Sequence, residues 1–168
     1  MKQSKPLPEP NDVLYRIKRG LAGYVSYLAA CEMNESFSEY LLYEPILRIL
    51  TARGYVVECE VTCPGIEQPK TGDKRKLDFV ARKNELTYAI EVKWAKTVKP
   101  NIDDDLTKLR ACRNSDKTWR AFLCIFGTES RITKLKLPTG VLKERGSCVI
   151  ADFGKTKFGC RMYELAEP

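Results

Sequence analysis

Histidine is missing from the 168 residues of this chain. Its absence excludes hydrolases that activate a serine or a cysteine with a histidine, zinc enzymes with histidine ligands, and nucleases whose general base is a histidine. Acid–base chemistry in this chain therefore has to come from carboxylates, lysines, tyrosines, cysteines or metal-bound water.

Long apolar runs are missing as well. No segment approaches the roughly 20 apolar residues that a transmembrane helix requires. The first ten residues, MKQSKPLPEP, lack the apolar stretch of a secretory signal peptide. We therefore expect a cytoplasmic protein with no membrane partner. The length suits one domain, which we place at residues 11–168 behind a flexible leader at residues 1–10.

Paired cysteine motifs are also lacking, although the chain has seven cysteines. Their number is odd and no two of them have CxxC spacing. Cys59 and Cys63 could supply half of a metal site, but no second half with matching spacing follows. Most of the seven lie in apolar stretches such as FLCIF, where a reduced thiol behaves as a small apolar side chain. We interpret them as structural residues.

Basic residues are in excess, with 29 Lys and Arg against 22 Asp and Glu and a net charge of +7 at pH 7. The excess lies in two blocks: residues 68–99 carry 9 basic and 4 acidic side chains, and residues 131–161 carry 8 and 2. A solvated lysine-rich surface would show the same composition. Because the first block surrounds a group of carboxylates on predicted strands, we favour a phosphate-bearing partner.

Apolar periodicity predicts an α/β fold with a mixed central sheet. The predicted helices span residues 12–33, 36–52 and 103–113. The predicted strands span residues 55–61, 77–82, 87–94, 120–126, 148–153 and 158–165, and the last two form a hairpin. Residues 127–146 are predicted as a loop-rich segment with one helical turn. Pro45 should kink the second helix, unless that helix starts late, near Tyr43.

Three charged side chains lie on the second and third predicted strands. Asp78 lies between Leu77 and Phe79, and the sequence Glu91-x-Lys93 begins thirteen residues later. Because side chains alternate along a strand, Glu91 and Lys93 share a face, and a hairpin would bring Asp78 to them. Two carboxylates and an ammonium at strand centres are unfavourable unless they pair or hold a cation. Two carboxylates suit Mg²⁺, and a lysine can position an attacking water or stabilise charge on a phosphate.

The order of Asp78 and Glu91-x-Lys93 resembles the PD-(D/E)xK nuclease superfamily, which has the restriction-endonuclease-like fold. The likeness extends over residues 36–126 and departs from the motif at Leu77, where proline is common. It implies an α-β-β-β-α-β core with a mixed sheet, here with an extra N-terminal helix and a C-terminal strand pair. It also implies Asp78 and Glu91 as ligands of Mg²⁺, or of Mn²⁺, and Lys93 as the catalytic lysine.

Nucleases of this kind often add a glutamate from the helix before the first strand. We expect Glu44 to take that role, because a charge among Tyr40, Leu41 and Leu47 would point inward. Glu39 is the alternative, although a capping box with Ser36 already explains it. Five basic residues near the motif are expected to contact nucleic acid: Lys74, Arg75, Lys76, Lys96 and Lys99.

The resemblance implies a Mg²⁺-dependent endodeoxyribonuclease, with DNA favoured over RNA. No separate recognition domain fits this length, so specificity is low or comes from a homodimer or a partner subunit. Two other classes stay open: a catalytically silent nucleic-acid-binding module, and a protein-interaction module such as an inhibitor or immunity protein. The pattern of alternating apolar and charged residues also fits a hairpin whose outer face is in solvent. In that case Glu91 and Lys93 would form a surface ion pair with little effect.

Overall fold

The computed structural model describes residues 9–33 and 39–166, which form a mixed α/β fold with a seven-stranded sheet. The helices are α1 (Glu9–Ala30), α2 (Tyr43–Ala52), α3 (Asp103–Ser115) and α4 (Glu129–Ile132). The strands are β1 (Val56–Thr62), β2 (Lys76–Lys83), β3 (Leu86–Trp94), β4 (Trp119–Thr128), β5 (Leu142–Glu144), β6 (Val149–Ile150) and β7 (Phe158–Leu165). None of these helices is long and apolar enough to cross a membrane.

The sheet is mixed, as the sequence predicts. Its strand order is β1-β2-β3-β4-β7-β5, and β6 also pairs with β7. Strands β1, β2 and β3 are antiparallel neighbours, β4 runs parallel to β3, and β7 runs antiparallel to β4. Helix α3 connects the two parallel strands, because a parallel pair requires a crossover connection.

Helices cover both faces of the sheet, so the central strands are buried on both sides. On one face, α1 and α2 pack on side chains that include Tyr88, Ile90 and Val92 of β3. On the other face, α3 packs on a second apolar cluster that includes Ala89 of β3. Alternation along β3 therefore directs Glu91 towards the face that α3 covers.

The sequence allows either a helix over residues 36–52 that is kinked at Pro45 or a helix that starts near Tyr43. A 3₁₀ turn at Glu39–Leu42 precedes α2, and the helix itself begins at Tyr43. The late start is therefore confirmed, and Pro45 falls in the first turn, where no helical hydrogen bond from its nitrogen is needed. Ser36 of the expected capping box lies outside the described residues.

Other boundaries differ little from expectation. Helix α1 begins at Glu9, inside the range assigned to the leader, while residues 1–8 lie outside the described part of the chain. The segment 127–146 contains the expected helical turn as α4, and also the short strand β5, which was not predicted. The C-terminal strand pair is present as β6 and β7.

The cysteines serve mainly as core residues. All seven thiols are free, and four of them are buried: Cys63, Cys112, Cys124 and Cys160. The sulfur atoms of Cys124 and Cys160 lie 3.4 Å apart between β4 and β7. Cys31 and Cys59 are exposed, so the structural interpretation holds for the buried set.

The burial of Cys160 predicts a pH-dependent stability. Burial, and then its contact with Cys124, raise the pKa of the Cys160 thiol well above the ordinary value of 9.0. The unfolded chain therefore loses this proton at a lower pH than the folded chain, and the contribution to stability is present below pH 9 and lost as the pH rises above it. We expect the free energy of unfolding to fall less steeply between about pH 8 and pH 10 in Cys160→Ala than in the wild type.

Urea titrations at several pH values measure this slope. Cys31→Ala is the matched control because Cys31 is exposed, and it should keep the wild-type slope. A Cys160→Ala variant with the wild-type slope would contradict the assignment.

Candidate active site

A cleft of about 370 Å³ opens beside the first residues of β2. Two tyrosines, four carboxylates and four basic residues line it: Tyr40, Tyr43, Glu60, Asp73, Asp78, Asp104, Lys74, Arg75, Lys76 and Lys108. A larger depression of about 610 Å³ lies at the C-terminal end of α3, but neither Asp78 nor Glu91 lines it. Asp78 lines the smaller cleft, whereas Glu91, which contacts Asp78 and Lys108, is not among its lining residues.

Asp78 lies where the pairing of β2 becomes irregular. The β2–β3 ladder begins at Phe79, and the β1–β2 ladder passes from Cys59↔Phe79 to Val61↔Leu77 without pairing Asp78. The Asp78 carboxylate accepts a hydrogen bond from the Val92 backbone N–H at 2.7 Å. This bond to β3 fixes the carboxylate between the two strands at the inner end of the cleft.

Glu91 is buried, with only 1% of its surface exposed. Its Oε1 accepts a hydrogen bond from the Asp78 backbone N–H at 3.3 Å, and its Oε2 forms an ion pair with the Lys108 ammonium. Burial, followed by the Asp78 carboxylate, raises the pKa of Glu91 above its ordinary value of 4.5, while the Lys108 ammonium opposes that rise and favours the ionised form. The predicted neighbours Asp78 and Glu91 are therefore brought together, and the alternative of a solvated Glu91 is wrong.

Lys108 is a site residue that sequence reasoning missed. Its Nζ contacts Glu91 and donates a hydrogen bond to the Lys76 carbonyl oxygen at 3.0 Å. Burial acts to lower the pKa of Lys108, but Glu91 outweighs that effect and raises it above 10.5. Lys108 therefore stays a cation and holds its charge directly on the buried carboxyl group.

Lys93 also points to α3, as its shared face with Glu91 predicts. Its Nζ lies 3.1 Å from the Asp105 Oδ2, and Asp105 is buried. Asp105 and Lys108 are three residues apart on one helix and so face the same side. One turn of α3 thus supplies an opposite charge to each of the two charged residues of β3. Lys108 lines the cleft, whereas Lys93 is not among the residues that line it.

Tyr43 links α2 to the carboxylates and was also missed. Its hydroxyl lies 2.7 Å from the Asp78 Oδ1 and 2.8 Å from the Glu60 Oε1. Burial and these two acceptors raise the pKa of Tyr43 above its usual value of 10.0, so the phenol keeps its proton. A hydroxyl has one proton to donate, so the two carboxyl groups share a single donor. Neither Tyr43 nor Glu60 carries a local sequence signal for this contact.

The expectation that Glu44 points inward is wrong. Glu44 is exposed and forms an ion pair with Arg48 one turn later in α2, while its neighbour Tyr43 faces the cleft. The expectation assumed one continuous α-helix, in which Glu44 shares a face with Tyr40 and Leu47. Residues 39–42 form a 3₁₀ turn instead, so that α-helical spacing does not apply across the start of α2. The side chain of Glu39, the alternative, lies outside the described part of the chain.

The predicted nucleic-acid contacts divide into two groups. Lys74, Arg75 and Lys76 line the cleft, and Lys76 lies 3.8 Å from Glu60. Lys96 and Lys99 are exposed in the segment that follows β3 and do not line this cleft. The structure therefore brings the first three basic residues to Asp78 and leaves the other two apart from it.

Within residues 9–33 and 39–166, no group of three or more His, Cys, Asp or Glu side chains is placed to hold a metal ion. Asp78 and Glu91 supply two neighbouring carboxylates, which are the type of ligand that Mg²⁺ prefers. Comparison with known proteins finds no matching family model, no similar curated protein and no similar solved structure. The functional assignment therefore depends on the residues of the cleft.

The pairing of Glu91 with Lys108 predicts a strong coupling between the two residues. In Lys108→Met, the buried Glu91 loses its cation, and we expect a loss of about 3 kcal/mol in the free energy of unfolding. The double variant Glu91→Met, Lys108→Met removes both charges, and we expect it to regain most of that loss. Urea unfolding of the wild type, both single variants and the double variant measures the coupling. Additive effects of the two substitutions would show that the pair contributes nothing.

Proposed function

We propose that this chain is a metal-dependent nuclease that hydrolyses phosphodiester bonds, with DNA as the favoured substrate. The observation that carries the proposal is the meeting of Asp78, Glu91 and Lys108 beside a cleft whose lining includes Lys74, Arg75 and Lys76. A metal-dependent hydrolase needs neighbouring carboxylates for the ion and basic side chains for the phosphates, and this cleft supplies both.

The proposal extends to a restriction-endonuclease-like core. The order α2-β1-β2-β3-α3-β4, with β1 to β3 antiparallel and β4 parallel to β3, agrees with the expected α-β-β-β-α-β arrangement. Helix α1 and strands β5 to β7 are then additions to that core. The positions of Asp78 near the start of β2 and Glu91 in the second half of β3 support the same reading.

The donor set fits Mg²⁺ or Mn²⁺ in its chemistry. Asp78 and Glu91 supply hard oxygen ligands, and Oε2 of Glu91 is the atom that now contacts the Lys108 ammonium. A bound Mg²⁺ would supply Lewis-acid activation of water and of the phosphate. We therefore propose Asp78 and Glu91 as its ligands.

The remaining residues position the substrate and the ligands. Tyr43 and the Val92 N–H hold the two oxygen atoms of Asp78, so its carboxylate is oriented before any substrate binds. Lys74 and Arg75 bind phosphates on either side of the bond to be cut. An ammonium near the carboxylates stabilises the charge that develops on the phosphate in the transition state. The motif assigns that role to Lys93, while Lys108 is the lysine that lines the cleft.

A catalytically silent nucleic-acid-binding module is the second candidate. The ion pairs of Lys93 with Asp105 and of Lys108 with Glu91 neutralise charges within the fold, and such a network can be purely structural. Cleavage assays separate the two candidates, because a silent module binds nucleic acid without cutting it under any divalent ion.

The first functional prediction concerns the two carboxylates. Asp78→Asn and Glu91→Gln keep the side-chain shape but remove a charged ligand, so both should abolish Mg²⁺-dependent cleavage of plasmid and single-stranded DNA. Both should also weaken Mn²⁺ binding in calorimetry. Glu85→Gln is the matched control, because Glu85 is exposed in the turn between β2 and β3. Unchanged Mn²⁺ binding in the variant that carries both substitutions would refute the metal assignment.

The second functional prediction concerns the lysines. Lys93→Ala should fold, bind DNA and lose cleavage by roughly 100-fold or more, because its contribution belongs to the transition state and not to binding. Single-turnover cleavage rates and DNA affinity are measured separately, and only the cleavage rate should fall. A Lys93→Ala variant that cuts at the wild-type rate would exclude Lys93 from catalysis and leave Lys108, which contacts Glu91, as the candidate for that role.

A further inference from the structure

Tyr40 is an exposed aromatic residue at the mouth of the cleft. Its ring is 69% exposed, yet it lines the same cleft as Asp78. Large aromatic side chains usually bury most of their surface, so one that remains exposed beside charged residues is available for a ligand. The other exposed tyrosines, Tyr15 and Tyr27, lie on α1 and do not line this cleft.

Tyr40 is also held in place. Its ring centroid lies 5.4 Å from that of Tyr43, and the Tyr43 ring lies 4.6 Å from Phe79, which is fully buried. The three rings therefore lead from the core to solvent. Because the Tyr43 hydroxyl is bonded to Asp78, the exposed ring is separated from the carboxylates by a single side chain.

The exposed charges at the mouth have both signs, with Lys74 and Arg75 beside Asp73 and Asp104. Lys74 and Arg75 are exposed there, and neither forms an ion pair with a carboxylate in the part of the chain that the structure describes. An exposed aromatic ring beside exposed basic side chains matches the two contacts by which proteins bind single strands: stacking on bases and attraction to phosphates.

We propose that the cleft binds single-stranded nucleic acid and that Tyr40 stacks on an unpaired base while Lys74 and Arg75 contact its phosphates. This inference rests on the proposed nuclease function and narrows its substrate. In a duplex, each base is already stacked on its neighbours, so Tyr40 gains a partner only where the strand is single, frayed or flipped.

The test measures binding in EDTA, so that it does not depend on cleavage. The probes are a fluorescein-labelled 12-nucleotide single strand, its duplex, and a single strand of equal length in which every nucleotide is abasic. Fluorescence anisotropy is measured for the wild type, Tyr40→Ala, Tyr40→Phe and the control Tyr27→Ala. Tyr40 is mostly exposed, so its replacement should leave the thermal unfolding transition unchanged.

The wild type should bind the single strand more tightly than the duplex. Tyr40→Ala should weaken single-strand binding by roughly 5- to 150-fold, the range that corresponds to loss of one base–aromatic stack, whereas Tyr40→Phe keeps the ring and the affinity. The abasic strand should bind weakly to the wild type and no more weakly to Tyr40→Ala, because both changes remove the same contact. Tyr27→Ala should bind as the wild type does.

Three results would overturn the inference: equal single-strand affinities for wild type and Tyr40→Ala, tighter binding of the duplex, or an abasic strand that binds as well as the normal one. Each of them leaves the nuclease proposal intact if DNA is still bound and cut when Mg²⁺ is added. A wild type that binds none of the probes at low salt would refute the nuclease proposal as well.

Discussion

The burial of one carboxyl group, that of Glu91, determines the arrangement of the residues around it. Glu91 lies on a strand that is covered on both faces, and removing an unpaired carboxylate from water costs several kcal/mol. The helix that crosses from β3 to β4 supplies the compensating cation as Lys108. Because Asp105 lies one turn earlier on that helix, the same contact also brings it to Lys93. Helix α3 is therefore held to the sheet by ion pairs as well as by its apolar face.

A local irregularity of the sheet creates the cleft next to that carboxyl group. Glu60 has a left-handed backbone conformation with φ of 54°, and it is left out of the β1–β2 ladder opposite Asp78. A non-glycine residue in that conformation is unfavourable and is retained where the surroundings require it. The irregularity allows the Asp78 side chain to accept the Val92 N–H and lets Tyr43 reach both carboxyl groups. A regular ladder would pair Asp78 through its backbone alone.

The sequence predicts local elements well and long-range contacts poorly, for a physical reason. Strands β2 and β3 show apolar alternation that depends only on neighbouring residues, and Asp78 and Glu91 stand out because they interrupt it. Lys108 lies on a polar helix surface where a lysine is ordinary, and only the docking of α3 on β3 gives it a buried partner. The orientation of Glu44 depended on the phase of a helix, and the 3₁₀ turn before α2 changed that phase.

The proposed function requires carboxylates and a phosphate backbone to share the cleft, so the distribution of its charges matters. Three carboxyl groups and two lysines are linked by contacts at its inner end, partly through Tyr43: Glu60, Asp78, Glu91, Lys76 and Lys108. Lys93 and Asp105 form a separate ion pair outside the cleft lining. The lysines cancel most of the negative charge at short range, where the dielectric is low and pairing is strong. At the mouth, exposed Lys74 and Arg75 form no ion pair with a carboxylate among the described residues, although Asp73 and Asp104 are exposed in the same lining. Under the proposed function, Lys74 and Arg75 are therefore the side chains that a phosphate would meet without breaking an ion pair within the fold.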